Sequence, residues 1–345
     1  MKKRTKILLS TVIVLAVITG GVFLYSNYLL NKVQYENGDT GDGTEYFEQD
    51  ENADNLEETD PNDIVWNEQA FKRHENDVIN ILLVGEEKIG DIVRGRTDSI
   101  MIATINVPEK AVKLTSIMRD LYVQIPGYSD NKLNAAFHIG GMELLMETLE
   151  LNFDLQVDGY VKVDFDSFEQ VIDKLGGVEI TLNQREADYL NRTNYISKPS
   201  NRHVVAGTQV MNGNQALGYA RIRYVSTGTE ANDFGRTQRQ RKLLTAIFDK
   251  YKSKSSLELL AMLPDLLSMV TTNLTKTQMI EDMYLVLTIS PNTLETSRIP
   301  VDEKYQSARV RGMSVLIMDT QSENIAALHE FIFGDVSEQI NTSKP

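Results

Sequence analysis

Arginine residues are concentrated at the ends of predicted strands. Arg96 stands just before one predicted strand, and Arg119 directly follows another. Arg221 and Arg223 are two residues apart and point the same way where the chain is extended. Planar guanidinium groups bind phosphate oxygens through paired hydrogen bonds, and several converging arginines suit a pyrophosphate. The pattern predicts an anion site, with exposed or ion-paired surface arginines as the alternative.

More polar residues lie on a predicted helix that follows Arg223. Arg236, Arg239 and Gln240 are spaced i, i+3 and i+4, which places them on one face of that helix. Residues 221–242 hold six basic and two acidic side chains, whereas the whole chain has a formal net charge of -14. A local basic excess in an acidic protein indicates an anionic ligand.

Carboxylates at neighbouring predicted strand ends offer ligands for a cation. Glu86 and Glu87 end the first strand of the folded region, and Asp98 begins the next. If these strands are neighbours, Glu87 and Asp98 meet and supply the oxygen ligands that Mg²⁺ prefers. Two solvated carboxylates are the alternative.

Other chemistries lack their characteristic residues. The chain has no cysteine, which excludes disulfides, thiol nucleophiles and zinc–thiolate sites. It contains neither a Gly-x-x-x-x-Gly-Lys phosphate loop nor a Gly-x-Ser-x-Gly nucleophile turn. The four histidines show no metal-ligand spacing. Zinc-dependent hydrolysis and triad hydrolysis are therefore disfavoured.

Strand and helix signals alternate from about Asp77 onward, which predicts the elements that position these residues. Asp166 is expected to cap the helix ending at Leu175, and Asp233 or a neighbour to cap the long helix reaching Lys252. The alternation predicts an α/β fold with a mixed central β-sheet and helices on both faces. The predicted strands are 78–84, 99–107, 112–118, 159–164, 178–182, 297–300 and 314–318. The predicted helices are 142–151, 166–175, 212–220, 233–252, 257–270, 277–289 and 324–333.

The first 76 residues differ in composition from the rest. Four basic residues within positions 2–6 precede an uncharged run at 7–31, of which residues 7–25 are largely apolar. As a helix, residues 7–25 would span about 28 Å at about 1.5 Å per residue. The run ends in aromatic residues rather than a small-x-small cleavage site, which favours a transmembrane anchor over a cleaved signal peptide. Between Lys32 and Asp63 stand twelve acidic residues and one basic residue, which predicts a solvated, mostly disordered linker.

The chain resembles the LytR-CpsA-Psr (LCP) family in an ordered series of short motifs between Asn80 and Gln240. Among them are Arg96-Thr97-Asp98-Ser99, Ser116-Ile117-Met118-Arg119-Asp120, Lys132-Leu133-Asn134, Ala220-Arg221-Ile222-Arg223 and Asp233-Phe234-Gly235-Arg236. The resemblance implies the LCP fold, preceded by one transmembrane helix. It also implies a phosphotransferase that attaches a glycopolymer, such as teichoic acid or capsule, from a polyprenyl-pyrophosphate carrier to peptidoglycan.

Specific roles follow from the same resemblance. Mg²⁺ (or Mn²⁺) would be held by Glu87 and Asp98, with Glu86 as the alternative because the family more often has Asp at position 87. Asp98, Arg119 and Asp233 would be catalytic, with Asp233 orienting Arg236 or assisting proton transfer. The pyrophosphate and nearby sugar would be bound by Arg96, Arg119, Arg221, Arg223, Arg236 and Gln240.

The family also encloses the polyprenyl chain in an apolar tunnel under the sheet. Candidate lining residues are Phe137, Phe153, Val161, Phe165 and Val171. Plain hydrophobic core is the alternative for all five, since buried aliphatic and aromatic side chains are the usual interior of a protein.

The expected organisation places the catalytic part outside a bacterial cell membrane. It comprises a cytoplasmic basic tail (1–6), a transmembrane anchor (7–30), an acidic extracytoplasmic linker (31–76), an LCP catalytic domain (77–335) and a C-terminal tail (336–345). Expected partners are the lipid-linked glycan, peptidoglycan and membrane lipid. The alternatives are a pyrophosphatase acting on the same carrier, or a non-enzymatic scaffold that binds lipid carriers. A transcriptional attenuator is disfavoured because a nucleic-acid surface is normally strongly basic, so no nucleic acid is expected as a partner.

Overall fold

A computed structural model describes residues 25–36, 43–50, 55–66, 72–87, 96–319 and 321–334, with the backbone only at a few positions that include Glu87, Arg96 and Asp98. In these ranges the strands are β1 (Gln34–Tyr35), β2 (Val78–Glu87), β3 (Arg96–Asn106), β4 (Ala111–Ile117), β5 (Tyr122–Val123), β6 (Asn131–Lys132), β7 (Gly159–Asp164), β8 (Val178–Leu182), β9 (Gly207–Met211), β10 (Thr271–Thr272), β11 (Leu294–Ile299), β12 (Tyr305–Val310) and β13 (Met313–Met318). The α-helices are α1 (Leu133–Phe153), α2 (Phe165–Leu175), α3 (Gln184–Arg192), α4 (Gly213–Arg221), α5 (Asn232–Lys252), α6 (Ser256–Leu267), α7 (Lys276–Ile289) and α8 (Gln321–Phe333).

A seven-stranded mixed sheet forms the centre of the molecule, in the order β1-β10-β7-β2-β3-β4-β11. Strand β2 is antiparallel to β3 and parallel to β7. Strand β4 is antiparallel to β3 and parallel to β11. The predicted α/β fold with a mixed central sheet is confirmed.

Apolar side chains project from both faces of this sheet. Leu82 and Ile102 pack in one buried cluster with Phe137 of α1. Leu83 and Met101, their neighbours along the strands, line a cavity on the opposite face beneath α4 and α5. A strand covered on both faces has apolar residues at consecutive positions rather than alternating ones, which explains the continuous apolar run in β2.

A second buried cluster lies beside the sheet and supports the helices that carry the arginines. It joins Ile180 of β8, Leu190 of α3, Tyr219 of α4 and Leu243 of α5. Helix α4 begins at a capping box, in which the Asn212 side chain accepts from the backbone of Gln215 and the Gln215 side chain accepts from the backbone of Asn212. The start of α4, and with it the position of Arg221 in its last turn, is therefore fixed locally.

Two predicted helix caps are wrong. The side chain of Asp164, not Asp166, caps α2 by accepting from the Ser167 backbone N–H at 2.7 Å. Helix α5 has no side-chain cap, and Asp233 lies inside its first turn. The carboxylate of Asp233 does not cap the helix because it contacts arginine side chains instead.

The described parts of the segment predicted as a solvated linker pack against the domain. Strand β1 pairs with β10 at the edge of the central sheet. Phe47, Ile64 and Trp66 pack against the cluster formed by the β12–β13 hairpin. The few apolar residues of this acidic segment thus find buried partners, which a count of charges along the sequence does not reveal.

The predicted basic tail at 1–6, residues 7–24 of the anchor predicted at 7–30 and the predicted C-terminal tail at 336–345 lie outside the described ranges. Within those ranges, no helix is both long enough and apolar enough to cross a membrane.

Candidate active site

An apolar cavity opens on the sheet face that α4 and α5 cover. The space within it and at its open mouth, solvent included, amounts to about 840 Å³. Val161 and Phe165 line it, as predicted, whereas Phe137 and Phe153 belong to the buried core that includes α1. Val171 is not among the residues that line it. The other apolar lining residues are Leu83, Val84, Gly85, Met101, Val163, Phe168, Leu217, Ala220, Leu243 and Leu244.

Polar side chains join this lining at Ser99, Arg221, Arg236 and Gln240. Arg236 and Gln240 are one helical turn apart on α5, so both reach the same cavity. The guanidinium of Arg221 lies over the ring of Phe165, 4.9 Å from its centroid, which holds the charge at the cavity wall. A mostly apolar space with cationic groups on its wall suits an amphiphilic anion.

Three arginines converge on the carboxylate of Asp233. Its Oδ1 atom lies 2.7 Å from Nη2 of Arg236, 3.4 Å from Nε of Arg223 and 3.8 Å from Nη2 of Arg119. Arg236 lies in α5, Arg223 in the loop after α4, and Arg119 two residues after the end of β4. Asp233 therefore brings side chains from three separate segments to one place.

Asp120 and Lys132 extend this charged cluster. Nζ of Lys132 lies 3.4 Å from Oδ1 of Asp120, and Nε of Arg119 lies 3.4 Å from Oδ2. Burial alone would raise the pKa of Asp120, but the charges of Arg119, Lys132 and Arg236 together hold that pKa below its ordinary value. Asp120 thus stays ionised and fixes Arg119. No role for Lys132 was predicted from the sequence, although Lys132 stands in one of the matched motifs.

Arg239 does not belong to this cluster, contrary to the helix-face prediction. Its side chain is fully buried. Its Nε donates to Oε1 of Glu186 at 2.8 Å, and its Nη atoms donate to the carbonyl oxygens of Ile222 at 3.1 Å and Val225 at 2.6 Å. Ile222 and Val225 lie on either side of Arg223 in the chain. Arg239 therefore holds the loop that places Arg223 near Asp233.

The register of β2 and β3 brings the predicted metal ligands close together along the backbone. Gly85 pairs with Ser99 and Glu86 pairs with Thr97, which leaves Asp98 as an extra residue in a β-bulge. Glu87 follows at the next position of β2, opposite Arg96. The backbone positions of Glu87 and Asp98 are thus separated by the Glu86–Thr97 pair, and carboxylates are the oxygen donors that Mg²⁺ prefers.

The metal ligation itself stays a prediction. The side chains of Glu87 and Asp98 lie outside the described part of the structure, as does that of Arg96. Among the side chains that are described, no group of three His, Cys, Asp or Glu suits a metal ion. Glu86, the predicted alternative ligand, is buried in β2.

The predicted residues therefore fall into two sets. Arg119, Arg223, Arg236 and Asp233 form one cluster, which Arg236 joins to the cavity lined by Arg221 and Gln240. The roles of these residues in substrate binding and catalysis stay predictions. The lining residues Leu243 and Leu244 were missed; their spacing of three and four residues after Gln240 is the signal that places them near the same helix face.

The fold and parts of the sequence match characterised proteins. Regulatory protein MsrR of Staphylococcus aureus is 37% identical over 169 residues, which are 49% of this chain and 48% of MsrR, so the match spans about half of that relative. The polyisoprenyl-teichoic acid–peptidoglycan teichoic acid transferase TagT of Bacillus subtilis is 36% identical over 201 residues, 55% of this chain and 59% of TagT. The solved structure of the LytR-CPS2A-psr family protein YwtF (TagT) with bound octaprenyl pyrophosphate lipid is 27% identical. It superimposes with a TM-score of 0.56 over 77% of this chain and 97% of that one.

The family model described as "LytR_cpsA_psr family" matches residues 41–327, which include every described element from β2 to β13 and the whole arginine cluster. The chain belongs to the LytR-CpsA-Psr family.

Proposed function

We propose that this protein is a phosphotransferase that attaches a glycopolymer from a polyprenyl-pyrophosphate carrier to peptidoglycan. The observation that carries the proposal is the junction of an arginine cluster with an apolar cavity, made by Arg236. A polyprenyl pyrophosphate has the matching parts, a charged head and a long apolar chain. TagT is named as a teichoic acid transferase, and a TagT structure holds octaprenyl pyrophosphate, which supports the same substrate class here.

The proposed reaction is a displacement at phosphorus. A peptidoglycan hydroxyl oxygen attacks the glycan-side phosphorus, the bond from that phosphorus to the bridging oxygen breaks, and polyprenyl phosphate leaves with the bond electrons. The hydroxyl proton passes to a base, and the glycan ends in a phosphodiester. Such a reaction needs positioned reactants and neutralised phosphate oxygens more than a protein nucleophile. Arg119, Arg223 and Arg236 would supply the positive charge, held in place by Asp233.

Glu87 and Asp98 would hold Mg²⁺ or Mn²⁺ at the bulge between β2 and β3. When bound, the cation would neutralise charge on the pyrophosphate oxygens. Arg96, which pairs with Glu87 across the strands, would contact the pyrophosphate from the same edge. Arg221 and Gln240 would bind at the cavity wall, where the head of the carrier meets its apolar chain.

A membrane-anchored, extracytoplasmic location follows from the same proposal. The segment 7–30 would cross the cell membrane with the basic residues 2–6 in the cytoplasm, up to its last residues Leu29 and Leu30, which pack in the apolar cluster that contains Met279. Anchoring keeps the site close to a carrier that never leaves the bilayer. Wall teichoic acid, capsule or another polymer on the same carrier would present the same pyrophosphate and the same apolar chain to these residues.

Transfer is tested with the full chain in detergent and a radiolabelled polyprenyl-pyrophosphoryl disaccharide, mixed with peptidoglycan fragments. Label should appear on peptidoglycan when Mg²⁺ is present and should be lost with a chelator. Free sugar phosphate without transfer would favour the pyrophosphatase, and tight carrier binding with no product would favour the scaffold.

Arg119→Ala and Arg192→Ala form the matched pair for this test. Arg119 contacts Asp233, whereas Arg192 ends α3 and is exposed. Arg119→Ala should abolish transfer, and Arg192→Ala should retain it. Equal activity of the two variants would show that Arg119 is not needed for the reaction and would contradict the proposed role of the arginine cluster.

A further inference from the structure

The outer face of α7 carries an exposed apolar stripe. Ile280, Met283, Tyr284 and Leu287 are spaced i, i+3, i+4 and i+7, which is one face of a helix. Tyr284 is 67% exposed and Leu287 is 64% exposed. The helix already buries Met279 on its inner side. A second, contiguous apolar face that remains exposed marks an interaction surface.

The segment at residues 25–36 lies against this same helix. The hydroxyl of Tyr35 lies 3.7 Å from Sδ of Met279. Nζ of Lys276 lies 3.5 Å from Oδ1 of Asn27 and also donates to Oδ1 of Asn31. This segment contains the end of the uncharged run at 7–31. Chain continuity therefore places the stripe beside the end of the proposed anchor.

The side chains around the stripe have the chemistry of a membrane–water interface. Tyr25 and Tyr28, near the end of the proposed anchor, are exposed, and Nζ of Lys32 lies 5.3 Å from the ring centroid of Tyr28. Tyrosine has an apolar ring and a polar hydroxyl, which suits the headgroup level of a bilayer. Lysines attract anionic lipid headgroups. Glu281 follows Ile280 by one residue, so its side chain lies about 100° around the helix from that of Ile280.

The inner side of α7 meets the cavity wall. Leu83 and Val161 line the cavity and also pack in the apolar cluster that contains Met279 and the anchor-side residues Leu29 and Leu30. The cavity thus reaches the part of the molecule where α7 and residues 25–36 lie. Leu83 and Val161 therefore link the cluster under α7 to the cavity that Arg236 also lines.

We propose that α7 docks on the outer leaflet of the membrane through Ile280, Met283, Tyr284 and Leu287. Docking turns the α7 side of the cavity toward the bilayer, so that an isoprenoid chain enters the cavity without crossing water. This inference rests on the proposed function and on the proposed anchor at 7–30. It names the surface that receives the substrate rather than the residues that react.

The test uses the absence of cysteine from the chain, because a new cysteine takes a thiol-reactive label at one position only. Leu287→Cys and Val210→Cys are a matched pair, since both side chains are apolar and are 64% and 61% exposed. Val210 is an exposed residue of β9, whose next residue, Met211, belongs to the second buried cluster. The labelled full chain is placed in phosphatidylethanolamine–phosphatidylglycerol vesicles that contain a nitroxide-labelled lipid. Lipid quenching of a fluorophore at 287 should exceed that at 210 several-fold.

Equal quenching at the two positions would overturn the docking. Protection of position 287 from aqueous iodide without lipid quenching would also overturn it, because another protein surface or another part of the chain would then cover the stripe. Tyr284→Glu added to Leu287→Cys should bring lipid quenching down to the level at 210.

Activity separates this inference from the proposed function. Tyr284→Glu should slow transfer from a long-chain carrier in vesicles and leave transfer from a short-chain, water-soluble carrier unchanged. Equal slowing with both carriers would argue against docking. No transfer by the wild-type protein with either carrier would refute the proposed function, whereas the quenching result does not depend on activity.

Discussion

Two arginines three residues apart on α5 have different environments. Arg236 contacts Asp233 and lines the cavity, whereas Arg239 is enclosed by Glu186 and two carbonyl oxygens. Residues at i and i+3 differ by about 60° around a helix. That angle directs Arg236 to the cavity and Arg239 toward the second buried cluster. The sequence identified Arg236 and Gln240 as neighbours but could not separate Arg239 from them.

Replacement of Arg236 by alanine should abolish transfer and leave the fold intact. Loss of one positioned donor costs on the order of 10²–10³ in kcat when it stabilises charge in a transition state. The assay is radiolabel transfer to peptidoglycan, with circular dichroism as the measure of fold. A circular-dichroism spectrum that collapses in this variant would make Arg236 a structural residue instead.

Replacement of Arg239 by alanine should instead destabilise the protein. The change leaves the carboxylate of Glu186, whose side chain is 5% exposed, without its cationic partner. Breaking a buried ion pair in this way costs about 3–5 kcal/mol of unfolding free energy. Urea unfolding measures the loss, and a stability equal to that of Arg236→Ala would contradict it. The double variant with Glu186→Ala should lose less than the sum of the two single changes.

At the scale of elements, the prediction was best where local pattern decides the structure. Strand β7 at Gly159–Asp164 and strand β8 at Val178–Leu182 have the predicted bounds. Helix α3 was missed because it is mostly polar and buries only Glu186, Ala187 and Leu190. Strand β12 was missed because it gains its partner only when β13 folds back on it.

Two backbone features near the site also escape a reading of local pattern. The predicted helix at 142–151 is the second part of α1, which continues past a kink at Gly140 and Gly141. Gly141 has a φ of 69°, a conformation that glycine adopts without strain. The bulge at Asp98 depends on how β2 and β3 align, and register is a property of the pair rather than of either sequence.

Replacement of Asp282 by asparagine should stabilise the attachment of α7 at neutral pH. Partial burial, together with the charges of Asp158 and Glu281, raises the pKa of Asp282 from 3.8 to about 6. The folded state therefore binds more protons than the unfolded state between about pH 4 and pH 6, so stability falls as pH rises through that window. The gain from Asp282→Asn at pH 7 should be about 1 kcal/mol after allowance for solvent screening.

Thermal unfolding at two pH values measures this effect. The variant and the wild type should differ at pH 7 and converge near pH 4, where Asp282 is largely protonated in the folded protein. A difference that is larger at pH 4 than at pH 7 would reverse the sign of the argument. Glu281→Gln should give a smaller gain of the same sign at pH 7, because it removes only one of the two neighbouring charges that raise the pKa of Asp282.

At the scale of the whole molecule, the site depends on segments that are far apart in sequence. Residues after β4, the loop after α4 and the start of α5 supply Arg119, Arg223 and Arg236 to one carboxylate. The family resemblance identifies these residues, but only the packing of the central sheet and the second buried cluster brings them within contact distance. The acidic N-terminal segment also joins this assembly, since Glu48 lies 3.8 Å from Lys132 beside Asp120.

The packing of that N-terminal segment predicts the outcome of a truncation. A fragment at residues 77–345 has the boundary that composition alone suggests, but it lacks Phe47, Ile64 and Trp66. These side chains cover the β12–β13 cluster, and Trp66 stacks on Tyr122 at 6.1 Å between ring centroids. Full burial of one large apolar side chain contributes about 1.5–3 kcal/mol, so loss of three partly buried ones should cost on the order of 3 kcal/mol.

Comparison of the fragments 43–345 and 77–345 by thermal unfolding measures this contribution. The shorter fragment should unfold at a temperature lower by several degrees, since about 1 kcal/mol shifts Tm by about 2–4 °C in a domain of this size. Trp66→Ala in the longer fragment isolates the largest of the three contacts. Because Trp66 is the only tryptophan of the chain, its fluorescence also reports whether it is buried in the folded longer fragment. Equal unfolding temperatures, with tryptophan emission typical of water, would mean that residues 43–66 are a spacer after all.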